Sequence, residues 1–190
     1  MKIFNQITIA SLLLLTASSA SALPMIGGSL QMGGSFFALD SDDDITEATD
    51  AVAIDFTYFG FDKFVVNGGD GDFAGLAGSI GDIQDFQFDP LLAPITDFWT
   101  INAFSFELTG ISRGFTNDPD RFLVLNGEGV ISAAGFEDTA ASWSFTGDTA
   151  GSNIFSWSAT STAESVPEPG SLLLLSIGLL GVGARKALVK

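Results

Sequence analysis

Phe104-Ser105-Phe106-Glu107-Leu108-Thr109 is apolar at every second residue. Successive side chains of an extended chain point to opposite faces, so this pattern describes a strand with one face buried and the other in water. Ile54-Asp55-Phe56-Thr57-Tyr58, Trp143-Ser144-Phe145-Thr146 and Phe155-Ser156-Trp157-Ser158-Ala159-Thr160 repeat it. Phe61 to Val66 and Arg121 to Leu125 are apolar on both faces and read as more deeply buried strands. Turn formers separate these runs: Gly27-Gly28, Gly33-Gly34, Asn67 to Asp72, Asp89-Pro90, Asn117 to Asp120, Asn126-Gly127 and Gly147-Asp148. Gly127 and Gly129 suggest a turn or bulge. No stretch of the body holds ten residues of clean helical periodicity. The expected fold is all-β, an antiparallel β-sandwich of jelly-roll type, with Trp99, Trp143 and Trp157 in its core.

A chain of 190 residues suits one domain. It has no Cys and no His. That excludes a disulfide framework, a thiolate nucleophile, a zinc finger, an imidazole base and a Ser-His-Asp triad. All the acids lie between Asp40 and Glu168, so residues 23–168 carry 3 − 23 = −20, and Lys2, Arg185, Lys186 and Lys190 bring the total to −16. An acidic body repels phosphate backbones, which argues against nucleic acid as a partner. The only basic residues of the body are Lys63, Arg113 and Arg121, each expected to form a local ion pair. No repeat of fixed period is visible.

The two ends differ from the body. Lys2, the apolar run Ile7 to Leu15 and the small residues closing in Ala20-Ser21-Ala22 predict a signal peptide over residues 1–22, read by the secretion translocon and cut after Ala22. Residues 23–160 form the β-body and 161–170 a linker. Ser171 to Ala184 holds no charge, and Arg185-Lys186 follow as a basic stop. Fourteen helical residues span roughly 21 Å, short of a hydrocarbon core of about 30 Å. Snorkelling of the basic side chains or local thinning would make up part of the difference. Residues 171–190 are therefore expected to be a transmembrane helix with a basic tail on the cytoplasmic side.

Pro167-Glu168-Pro169, the apolar run and Arg185-Lys186, in that order, resemble a PEP-CTERM sorting signal. The resemblance implies a Gram-negative-type envelope. It implies a precursor in the cytoplasmic membrane, processed near the triplet by exosortase, a membrane-embedded enzyme. It implies a mature protein at the cell surface or in the extracellular matrix of bacteria that make exopolysaccharide, a setting linked to biofilm. The chemistry of the triplet suits processing, because each proline lacks a backbone N–H and disfavours helix in the residue before it. Residues 27–162, with Gly71-Asp72-Phe73, Phe98-Trp99 and Phe104-Ser105-Phe106-Glu107-Leu108, also resemble a body type common among PEP-CTERM proteins. That likeness implies no characterised activity.

Few residues of the body suggest chemistry. Asp40, Asp42 and Asp44 have the spacing of the first ligands of an EF-hand loop and could bind calcium. The match then breaks, with Ile45 where glycine belongs and Ala51 where glutamate belongs, and the plainer reading is a solvated acidic loop. No calcium is required, and no other cofactor is expected. Paired carboxylates suffice for glycoside hydrolysis, but an acid-rich chain offers such pairs at random. No nucleophile elbow, P-loop or dinucleotide fingerprint is present. The expected function is that of a non-catalytic exported surface or matrix protein, linked to exopolysaccharide. The alternative is a carbohydrate-binding or carbohydrate-acting module. A groove lined by exposed aromatics would favour the alternative, and a closed body with its aromatics buried would favour the first.

Overall fold

The computed structural model describes residues 23–92, 94–150 and 154–161, apart from the Trp157 side chain. Ten strands follow one another: β1 (Gly28–Leu39), β2 (Ala53–Phe56), β3 (Lys63–Gly69), β4 (Ile80–Ile83), β5 (Phe86–Gln87), β6 (Ile95–Ile101), β7 (Phe104–Arg113), β8 (Phe122–Ala133), β9 (Thr139–Asp148) and β10 (Ile154–Ser161). Eight of them close into an antiparallel barrel in the order β1-β3-β4-β6-β7-β8-β9-β10, and β10 returns to β1. The seam runs in unbroken register from Gly28 opposite Ser161 to Ser35 opposite Ile154.

This corrects the expected β-sandwich. The all-β, antiparallel part of the reading stands, but the jelly-roll part does not. Alternation looks the same in a sandwich and in a barrel, because both bury one face of each strand. The difference lies in pairing: β1 is bonded on one side to β3 and on the other to β10, so the barrel has no free edge. The predicted transmembrane helix over 171–190 and the signal peptide over 1–22 lie outside the described residues. Among the described residues, no helix is long and apolar enough to cross a membrane.

The interior is filled by the inward residues of the alternating runs. Leu30, Met32, Phe64, Trp99, Phe106, Leu125, Phe145 and Phe155 are all buried. Trp99 stacks on Phe106 at 5.2 Å and meets Phe64 edge-on at 6.2 Å. Trp143 is buried as expected, while the Trp157 side chain lies outside the description. Large rings are accommodated by glycines on facing strands. A Cβ at Gly129 would overlap the Phe106 ring, one at Gly81 the Phe64 ring and one at Gly147 the Phe36 ring. Gly127 and Gly129 therefore mark no turn. β8 continues through both, and the irregularity falls in its partner β7, between Leu108 and Gly110.

Each end of the barrel is plugged. At one pole the second half of β1, Phe36 to Leu39, pairs with β2, and β2 pairs with β5. This small sheet brings Phe56 to 5.2 Å from Phe155 and Phe86 to 4.9 Å from Phe98. A register shift in β6 between Ile95 and Trp99, with Asp97 at a φ of 50°, lets consecutive Phe98 and Trp99 both be buried. At the opposite pole a single 3-10 turn, Gly71–Phe73, carries Phe73 over the opening, 4.8 Å from Phe104. Asp70 accepts from the Ser29 N–H at 2.6 Å and Asp72 from the Gly27 N–H at 2.8 Å, which ties this plug to the entry of β1. Two of the three body cations form the expected ion pairs, Lys63 with Asp82 and Arg121 with Asp148. Arg113 instead donates to the carbonyls of Ala48 and Ala51 and lies over the Phe88 ring, pinning the loop after β1.

Gly129→Ala is expected to lower stability by about 1–3 kcal/mol, because the methyl has no room beside Phe106. Gly110→Ala, with nothing within 4 Å of the added carbon, should stay within about 0.5 kcal/mol of the parent. Urea melts of the two variants check the contrast.

Candidate functional site

The outward faces of β7 to β10 meet in a groove of about 580 Å³. The register explains its lining. Ser112 lies opposite Asn126, Asn126 opposite Ser144, Ser144 opposite Ser158 and Ser158 opposite Gln31 of β1. The next row is Glu128, Ser142, Thr160 and Ser29. Small side chains and the glycines at 110 and 127 form a dent in what would otherwise be a convex wall. The absent Cβ of Gly127 makes room for the Trp143 indole, which packs against it with Nε1 buried. Glu128 is the only charged residue in the lining. Among the described residues, the hydroxyls of Ser142, Ser144, Ser158 and Thr160 form no hydrogen bond, so they are free for a polar ligand.

A second feature sits at the pole closed by β2 and β5. Asp55 and Asp85 have raised pKa values there, with the charge of Asp62 contributing to both. Partial burial raises Asp85 most, the Phe56 N–H donated to it at 2.7 Å opposes this, and the charges of Asp55 and Asp62 add to the rise. Asp55 is raised by burial and then by Asp62. In the same loop the rings of Tyr58 and Phe59 lie 4.4 Å apart, and Phe59 is 80% exposed.

The calcium candidates do not assemble into a site. Asp40 uses one carboxylate oxygen to accept the backbone N–H groups of Asp42 at 2.9 Å and Asp44 at 3.0 Å, which closes its own loop. Among the described residues, no three carboxylates are grouped to hold a metal. Local hydrogen bonding of an aspartate to the backbone two residues on is what this residue type does in turns.

The last described residue, Ser161, ends β10 at the pole plugged by Phe73. Beyond it, a family model described as the PEP-CTERM protein-sorting motif matches residues 165–187. The chain carries a PEP-CTERM sorting motif. The matched span contains Pro167, Glu168, Pro169, Arg185 and Lys186. A PEP-CTERM motif marks an exported protein that exosortase processes at the membrane. Neither the curated proteins nor the solved structures yielded a match. The signal-cleavage residues Ala20 and Ala22, the triplet and the basic stop all lie outside the described residues.

Sequence reasoning missed both the groove and the carboxylate trio. The outward serines and threonines were visible as alternating positions, but which strands lie side by side was not. Asp55, Asp62 and Asp85 are spread over three segments that meet only through β2 and β5.

The trio makes a pH prediction. A carboxyl whose folded pKa is raised keeps its proton in the folded state after the unfolded chain has lost it, so stability falls as pH rises through that window. Asp85→Asn, which can still accept the Phe56 N–H, is expected to raise Tm at pH 7. At about pH 3, below the ordinary carboxylate pKa of about 3.9, the gain should vanish. Thermal melts of both proteins at the two pH values test it.

Proposed function

We propose that this chain is a non-catalytic surface or extracellular-matrix protein, linked to exopolysaccharide and biofilm. The secretion translocon exports it, and exosortase processes it from a precursor held at the cytoplasmic membrane. The observation that supports this reading is the filled, closed barrel. Most aromatic residues of the described body pack in the core and its two plugs, and the groove over β7 to β10 is open and lined mainly by small side chains. A body of this kind is built to persist outside the cell. Its barrel has no free sheet edge, and the chain has no thiol.

A carbohydrate-binding module is the second reading, and the hydroxyl-lined groove favours it. Unpaired hydroxyls and an amide on a nearly uncharged strip suit hydrogen bonding to a neutral polyol. Among the described residues, no exposed aromatic side chain lines this groove for stacking, since Trp143 is buried. That absence ranks the first reading above it.

Replacing Pro167-Glu168-Pro169 by Ala-Ala-Ala is expected to leave the C-terminal segment uncleaved, giving a heavier mature protein retained in the membrane fraction. Intact-mass measurement and fractionation of cells with and without the replacement read this out, and an unchanged mature C-terminus would sink the sorting function. For the second reading, Ser144→Asp with Ser158→Asp should abolish retardation in native gels cast with neutral glucans. Equal migration of parent and variant in gels with and without glucan rejects it.

A further inference from the structure

We infer that the barrel pole carrying both chain ends is a docking face for exosortase. This rests on the sorting function proposed above. The antiparallel seam sets the geometry: Gly28 at the entry of β1 lies opposite Ser161 at the exit of β10, and the Ser161 hydroxyl donates to the Gly28 carbonyl at 3.1 Å. Met25 bridges to Glu137 at the same pole. Both ends of the body therefore leave from one rim, and only residues 162–166 separate that rim from Pro167.

Distance then decides. Six residues, from Ser161 to Pro167, reach at most roughly 20 Å when fully extended. An enzyme engaging the triplet therefore works within about 20 Å of the rim at Ser161, which makes that rim the part of the body nearest to it.

Charge is arranged to allow this contact. The loops of the far pole, residues 40–62, 84–94 and 114–121, hold twelve acids, whereas those of the near pole, residues 23–27, 70–79 and 134–138, hold four. Of these four, Asp70 and Asp72 are tied to Ser29 and Gly27. The near pole also presents the small-residue loop Ala74-Gly75-Leu76-Ala77-Gly78-Ser79. The strongly acidic pole points away from the enzyme and from any anionic lipid around it.

Because the chain has no Cys, single-cysteine variants report this face directly. Ala77 is exposed at the near pole and Ser41 at the far pole. In cells holding the precursor on a catalytically inactive exosortase, a membrane-impermeant maleimide should label Ala77→Cys at least about ten-fold more slowly than Ser41→Cys. Purified mature protein should label equally at both. Insertion of a twelve-residue Gly/Ser segment after Ser161 should release Ala77→Cys to the Ser41→Cys rate. Equal labelling in the uninserted precursor overturns the inference. Protection that persists in cells lacking exosortase also overturns it, since the lipid surface alone would then be the occupant. Processing, read separately from the mass of the C-terminus, keeps failure of the docking face distinct from failure of the sorting function.

Discussion

Gly28 to Ser35 lie against Ile154 to Ser161 in antiparallel register, and every other feature of the body rests on that seam. Without it, the remaining strands would form an open sheet with two rows of unpaired backbone groups. With it, the inward faces converge, and a core thick enough to bury Trp99, Phe106 and Phe145 follows. The seam also fixes β1 between β3 and β10, and this forces its second half, Phe36 to Leu39, to pair elsewhere. The small sheet of β2 and β5 exists because that half-strand needs partners.

The interior is organised by size complementarity between glycines on one strand and rings on another. Gly129 beside Phe106, Gly81 beside Phe64 and Gly147 beside Phe36 give each ring the volume of the missing side chain. Close packing of this kind leaves little tolerance for an added methyl. Gly127 makes the same room for the Trp143 indole.

Fold class was legible because alternation at Phe104 to Thr109 and Trp143 to Thr146 depends only on local geometry. Closure was not, because it depends on residues separated by 133 positions in the Gly28–Ser161 contact. Gly127 and Gly129 misled for a related reason: a glycine that makes room for a ring resembles one that makes a turn, unless the ring's position is known. The apolar run Phe61 to Val66 predicts burial throughout, yet Phe61 is exposed while Phe64 and Val66 face the core. The apolar run there extends past the strand into its loop. Of the functional features, the sorting motif was readable because it is contiguous. The groove residues come from strands brought together by pairing alone.

The seam has a consequence for the order of events during export. β1 is among the first segments to emerge, and its partner β10 is the last of the body. Until β10 has formed, β1 can pair with β3 but lacks its second barrel neighbour, and that side of the sheet keeps an unpaired edge. Closing it spends the entropy of a loop of more than a hundred residues before any seam bond forms, which makes the step intrinsically slow.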